Sequence, residues 1–390
     1  MTYYYDTVIV GCGPSGSTAA RLLAQQGIKV LLVDKRQELG SPIQCSGAVS
    51  RHGLASSGID PDEEYIQEQI YGFNIFNTTG ENHQIDYRKL KPETYGSGKD
   101  KMPLGYIVDR RRFDRCLMGL AENNGAEVWL KTEALGYKPL YNGNCLVQLK
   151  KFNSEIEIEC RLIIGADGLQ SQVGKWAGLR THIKLTELIS CLQFIVDGVE
   201  TEGLLEIITG NQWAPGGYAW VFPKGNGHAE IGLGIITTLT KNSAQMHLEK
   251  FISQSFFRDR FKNMRLLEIQ GGGVPLSAPL KTQYADNVLL IGDAARHVNP
   301  ITGGGIHTAL SAGVIAAEFL IPFFQANGKA NKQGLKGYQD LWMTKLGTQL
   351  WKLYAVKKEF ITTKNTEDRD LKLYTTMRHY FQPNSEFKKI

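Results

Sequence analysis

No CxxC or CxxxC pair occurs in this 390-residue chain, whose six cysteines (12, 45, 116, 145, 160 and 191) lie scattered. That excludes a local zinc or iron–sulfur spacing and points to reduced thiols in a cytosol. No charged and apolar leader stands ahead of the first strand: MTYYYDTVIVG runs straight into it, so a signal peptide is not expected. Long apolar runs are missing too, apart from ALSAGVIAAEFLIPFF (309–324). That run is short, carries Glu318 and breaks at Pro322, so a buried helix is expected rather than a membrane span. Internal repeats, low-complexity tracts and nucleic-acid signatures are absent. Hydrophobic residues at 42% and charged residues at 21% exclude wholesale disorder. The net charge of +5 would suit an anionic substrate or a membrane surface, but an ordinary solvated surface gives the same figure.

What is present begins with DTVIVGCGPSGSTAARLLAQQGIKVLLVDKR, a strand, glycine turn, helix and second strand in register. Gly11 allows the tight turn, Gly13 lets backbone approach a pyrophosphate, and Gly16 lets the helix pack on the strand. Asp34 ends the second strand, where a carboxylate meets a ribose. This unit fits NAD or FAD equally. Two later segments separate them. RLIIGADGLQSQVGKWAG (161–178) is a strand ending in Ala166-Asp167-Gly168. NVLLIGDAARHVNPITGGGIHTALSAGVIAAE (287–318) is a strand ending in Gly292-Asp293, followed by a glycine-rich helix start. An aspartate there holds a polyol hydroxyl, and a bare helix N-terminus faces an electron-rich group; a flavin has both, a nicotinamide cofactor lacks the ribityl chain.

The three motifs, in this order, resemble the FAD-dependent superfamily of para-hydroxybenzoate-hydroxylase type, and YIVDRRRFD carries its R-x-x-F-D helix start. Within it, GGYAWVFPKGNGHAEIGLG (216–234), the loop GSPIQCSGAVS (40–50) and NPITGGGI resemble the geranylgeranyl reductase family nearly end to end. The resemblance implies an α/β fold: an FAD-binding Rossmann-like domain, an inserted antiparallel-sheet substrate domain and a helical C-terminal tail. It implies FAD as cofactor and reduction of isolated C=C bonds in geranylgeranyl chains of archaeal ether phospholipids such as digeranylgeranylglycerophospholipid. Carried over by position, the flavin contacts fall on Gly11, Gly13, Ser15, Gly16, Asp34, Cys45, Ser46, Ala48, Arg110, Ala134, Asp293, Gly305 and Ile306. Two departures stand out: the loop reads Cys45-Ser46-Gly47-Ala48 where relatives often carry CGEG, and Gly174-Lys175 replaces the arginine of the hydroxylases.

Tyr218, Trp220 and Phe222 share one strand face by their period of two, and the resemblance makes them the wall of an apolar substrate slot. An isolated alkene has no carbonyl to polarise. Protonation must develop tertiary carbocation character while reduced FAD delivers hydride, and aromatic faces stabilise the passing charge. Candidate proton donors are Cys45, Tyr218 and His297. A flavin monooxygenase of an aromatic substrate shares all three FAD motifs, and a membrane-linked flavoprotein electron carrier shares the fold; both remain as alternatives.

The FAD domain is expected in three pieces, 1–70, 101–180 and 275–330, with the substrate domain at 71–100 and 181–274 and a helical region at 331–390. In that region Leu335, Tyr338, Trp342, Leu346, Leu350 and Leu353 recur at spacings of three and four, flanked by lysines. Packing on the body and a peripheral seat on the inner face of the cell membrane are equally compatible with it. The expected partners are a prenylated glycerophospholipid and an external electron donor (ferredoxin, a reduced deazaflavin or NAD(P)H), without nucleic acid, in the cytoplasm.

Overall fold

The computed structural model describes residues 3–90 and 102–383. The expected boundary at 100/101 and the last residues of the 331–390 region lie outside them. The apolar run of Tyr3–Val10 forms a central strand with Val8 and Ile9 wholly buried, as a strand covered on both faces requires. It pairs in parallel with Val30–Val33 and with Ser154–Gly165. The sheet runs Tyr284–Ala285, Val288–Leu290, Ser154–Gly165, Tyr3–Val10, Val30–Val33, Glu127–Trp129, with Thr132–Pro139 and Cys145–Lys151 added antiparallel. Ile306–Gln325 is, among the described residues, the one helix long and apolar enough to cross a membrane. It packs instead on helix Pro14–Ala24: a Cβ on Gly313 would lie 2.7 Å from the Ser15 carbonyl oxygen. Leu310, Ala312, Ala316 and Leu320 are buried in the same core as Ala19, Ala20 and Leu23 or beside it.

The second sheet has seven strands in the order Arg265–Pro275, Leu188–Asp197, His228–Ile236, Tyr218–Pro223, Leu204–Thr209, Gly72–Phe76, Asn82–Asp86. Only Leu204–Thr209 and Gly72–Phe76 pair in parallel. Its two faces differ as the period of two dictates. Ala219, Val221, Ile231 and Leu233 pack under helix Ala244–Gln254 through Leu248 and Phe251. Trp220, Phe222 and Ile207 face the other way, toward the C-terminal helices. A third, small sheet, Ala48–Ser50, Gly105–Val108 and Ile66–Ile70, joins the two larger ones.

Helix Lys332–Trp342 passes through a π turn, Met343–Gly347, into Thr348–Ile361; Thr366–Phe381 then returns. Leu335, Tyr338, Trp342, Leu346 and Leu350 are buried in the FAD-lobe core, while Leu353, Phe360, Leu373 and Met377 pack against the aromatic face of the second sheet. The stripe is therefore spent on the body of the protein, and the tail ties the two sheets together.

Candidate functional site

The three glycine-bearing motifs meet in space. Gly11, at φ +112°, brings its Cα so close to Ala166 that a Cβ would lie 2.3 Å from that residue's carbonyl oxygen. A Cβ on Gly16 would lie 2.0 Å from the Gly11 oxygen, and one on Gly292 2.5 Å from Ser15 Oγ. Gly13 differs: nothing stands within 4 Å of the position its Cβ would take. Gly11 and Gly16 serve the packing of the turn, whereas Gly13 keeps an open approach, as a pyrophosphate needs.

Helices Pro14–Ala24 and Ile306–Gln325 begin at Gly13 and Gly305 without any side-chain cap. Asp109, Ser243, Asn331 and Asn365 cap other helices in the ordinary way. Two bare helix starts leave N–H groups and positive dipole ends for a ligand. Asp34 accepts from Cys12 N–H at 2.9 Å and from Arg36 Nε and Nη2 at 3.0 and 2.9 Å. Burial pushes its carboxyl up, but Arg36 outweighs that and holds it below the usual carboxylate range. Asp293 lies on the turn Gly292–Ala295, where burial raises its carboxyl against the pull of Arg110 and Arg296. Arg110 is held by Asp114 through two bonds of 3.0 and 2.9 Å and also faces Cys45. Ala134 sits on strand Thr132–Pro139, whose first residue donates to the Asp34 carbonyl at 2.9 Å. Glycine-opened backbone, two uncapped helix ends and carboxylates placed for hydroxyls fit an FAD.

The second motif has a structural job. Asp167 accepts from Ser171 Oγ at 2.6 Å and from the N–H groups of Gln172 and Val173, building the short helix Gln172–Trp176. Arg296, buried and at φ +66°, ties it to the third motif by donating to the carbonyls of Leu169 (2.6 Å) and Thr181. Sequence reasoning missed Arg296.

Against this cofactor region lies a mostly apolar cavity of about 120 Å³. The loop Gln44–Ser46 and the turn Pro300–Gly303 bound it on one side, and Tyr218, Trp220 and Phe222 on the other. Trp220 pairs with Gly232, where a Cβ would lie 2.5 Å from the indole; Gly234 leaves similar room beside Cys191. The two glycines that end the GxG element thus make space for the ring and the cavity. Of the candidate proton donors, Cys45 and Tyr218 reach the cavity. Cys45 Sγ accepts from Gly47 N–H at 3.4 Å. Tyr218 donates its hydroxyl to the Thr302 carbonyl, and burial raises its pKa. His297 lies outside: fully buried, it stacks on Trp342 at 4.6 Å and bonds Gln283 at 3.0 Å, and burial lowers its pKa to about 3.

Two further groups went unnoticed in the sequence. Glu230, wholly buried, accepts from Trp220 Nε1 at 2.9 Å and lies 3.3 Å from Lys224 Nζ; Lys224 in turn donates to the Ser46 carbonyl at 3.0 Å. Lys357, only 3% exposed, stands in the cavity wall and donates to the Leu276 carbonyl. Burial lowers its ammonium to about 8, with Glu187 opposing.

The family description "Geranylgeranyl reductase catalytic domain" matches residues 187–274, and "FAD binding domain" matches residues 4–203. A digeranylgeranylglycerophospholipid reductase of Methanothrix thermoacetophila is 38% identical over 91% of this chain and 87% of its own length. The digeranylgeranylglycerophospholipid reductase 2 of Methanosphaera stadtmanae is 35% identical over 94% and 89%. A geranylgeranyl bacteriochlorophyll reductase-like crystal structure from Thermoplasma acidophilum superposes with a TM-score of 0.86 at 28% identity, covering 99% of this chain and 98% of that one. A myxobacterial FAD-dependent halogenase shares the fold alone, at a TM-score of 0.72 and 17% identity, covering 99% of this chain and 92% of its own.

Proposed function

This chain belongs to the geranylgeranyl reductase family and is an FAD-dependent oxidoreductase; we propose that it saturates isolated C=C bonds in the geranylgeranyl chains of archaeal ether phospholipids. The observation that carries this reading is the aromatic wall Tyr218–Trp220–Phe222, turned onto an apolar cavity directly beside the Cys45 loop and the Gly303 turn.

Gly13, Ser15, Asp34, Arg110, Asp293, Gly305 and Ile306 would hold FAD, which when reduced supplies a hydride. The protein's residues do the rest. Trp220 and Tyr218, edge to face with centroids 5.8 Å apart, give the alkene two rigid apolar surfaces and offer their faces to developing positive charge. Burial of Ile189, Leu276 and Ile301 around the cavity keeps water from trapping that charge. Phe360 lines both this cavity and a surface groove between the last two helices, with Leu371 and Lys372 on the groove's rim. A prenyl chain too long for the cavity would continue past Phe360 toward that groove. Lys372 on the rim, which also reaches Glu359 at 4.0 Å, would offer an ammonium to the phosphate of a glycerophospholipid at a peripheral membrane position.

The test is an anaerobic single turnover: FAD is reduced chemically, a di-geranylgeranyl glycerophospholipid is added, and flavin absorbance is followed with lipid mass. Reoxidation with gain of hydrogen pairs in the lipid is expected. A flavin that stays reduced until oxygen enters would favour the monooxygenase instead.

A further inference from the structure

The cavity wall holds one lysine whose presence packing does not explain. Lys357 projects from helix Thr348–Ile361 at the spacing of its buried stripe, between Leu353 and Phe360, where an apolar side chain would serve packing better. Its three N–H donors meet one protein acceptor in the hydrogen-bond network of the described residues, the Leu276 carbonyl, and Leu276 lines the cavity too. A lysine this buried costs stability unless something uses it.

We propose that Lys357 is the proton donor to the alkene, an inference that rests on the prenyl-reductase reading of this cavity. The Nζ–H bond breaks and leaves its electron pair on nitrogen; the alkene π pair forms a C–H bond at the less substituted carbon. The adjacent tertiary carbon is then closed by the hydride that reduced FAD supplies, and the amine regains a proton from water before the next turnover. Charge decides between this donor and its rivals. A neutral thiol or phenol, Cys45 or Tyr218, would leave an anion opposite a carbocation, creating two charges in apolar surroundings. An ammonium creates none: one positive charge moves from nitrogen to carbon, under the faces of Trp220 and Tyr218. Acidity runs the same way for the phenol, since burial raises the pKa of Tyr218 while it lowers that of Lys357.

The titratable and charged groups around Lys357 come from several elements. Glu187, from the turn before strand Leu188–Asp197, accepts from Tyr354 on the lysine's own helix at 2.5 Å and also feels Arg296. Cys45, Cys191 and Tyr218 share the cavity; Tyr380, next to Tyr218, accepts from Asn299 at 2.8 Å; Lys358 and Glu359 point to solvent.

The test is the lipid-dependent reoxidation of chemically reduced enzyme without oxygen, from pH 6 to 10. The wild-type rate should fall about tenfold per pH unit above the lysine's pKa, because the donor must be protonated. Lys357→Met should lose at least about 100-fold with the bound-flavin spectrum intact. Lys357→Arg should be slow as well, without the alkaline limb, since a guanidinium holds its proton. Lys352→Met, on the exposed side of the same helix, should match wild type. A second readout needs no turnover: Lys357→Met should gain thermal stability over wild type below pH 8, the gain shrinking toward pH 10.5 as the buried amine of wild type no longer needs to be charged. Wild-type rates in Lys357→Met, or an alkaline limb that survives the substitution, would overturn the proposal and return the role to Cys45. Should Lys357→Met fail to fold, the wild-type limb and Lys357→Arg decide. Wild-type enzyme that ignores the lipid altogether would instead overturn the reductase reading and this inference with it.

Discussion

Trp220 donates its indole N–H to Glu230 at 2.9 Å, and the same carboxylate lies 3.3 Å from Lys224 Nζ, which is bonded to the Ser46 carbonyl. The aromatic wall and the Cys45 loop are thereby linked through one buried carboxylate. Removing it as Glu230→Ala leaves the largely enclosed Lys224 ammonium without its counter-charge, bonded only to the Ser46 carbonyl, and the indole N–H without its acceptor. Such breakage of a buried pair costs about 3–5 kcal/mol. Glu230→Gln keeps an acceptor for the indole and should lose less. Denaturant titrations of the two FAD-bound variants check the order; equal losses would show that the indole bond contributes nothing.

Gly232→Ala tests the space the indole occupies. Its Cβ would stand 2.5 Å from the Trp220 ring, and the ring must move into the cavity. Overpacking of this kind costs about 1–3 kcal/mol. The variant should bind FAD normally and reduce lipid slowly, and a double variant with Trp220→Phe should recover part of the rate.

Gly13→Ala separates cofactor contact from folding. The backbone there has φ −75° and open space around the added carbon, so the variant should fold with wild-type stability as apoprotein. If a pyrophosphate passes that spot, FAD affinity should fall at least about tenfold, or ~1.4 kcal/mol. Gly11→Ala and Gly16→Ala should instead yield insoluble protein. Fluorescence titration of FAD into the Gly13→Ala apoprotein decides.

His297 should make the protein acid-sensitive. Its folded-state pKa, lowered to about 3, lies below the value near 6.5 of an unfolded histidine. The unfolded chain therefore binds the extra proton first, and stability drops as pH falls from about 6.5 toward 3. His297→Gln should be less stable at neutral pH, where the stack on Trp342 is lost, with the gap to wild type narrowing as pH falls. A constant gap in thermal midpoints across pH 4 to 7 would contradict this.

Much of this was legible in the sequence because local physics wrote it there. GxGxxG, the Asp-Gly strands and the alternating aromatics are short-range patterns, and each forms the element its period demands. His297 misled because a histidine beside a cofactor motif reads the same in sequence whether its ring faces the ligand or the core; here the fold turns it onto Trp342. Glu230 was invisible because its partners, Trp220 and Lys224, meet it only once the hairpin has formed, and the loop it reaches through Lys224 lies nearly 180 residues away. Lys357 did leave a trace. It continues the Leu346, Leu350, Leu353 spacing that the stripe follows, and a lysine on the buried side of a helix signals either an error of register or a function. Counting it among the flanking lysines concealed that.

The helix that carries Lys357 has one more consequence. Lys357, Phe360 and Leu373 are the last residues of the cavity to leave the ribosome, whereas the glycine turn and Asp34 are among the first. A nascent chain can gather its cofactor region while the far wall of the cavity has not yet been synthesised. The space beside the cofactor region therefore gains its far wall only as the end of the chain is completed.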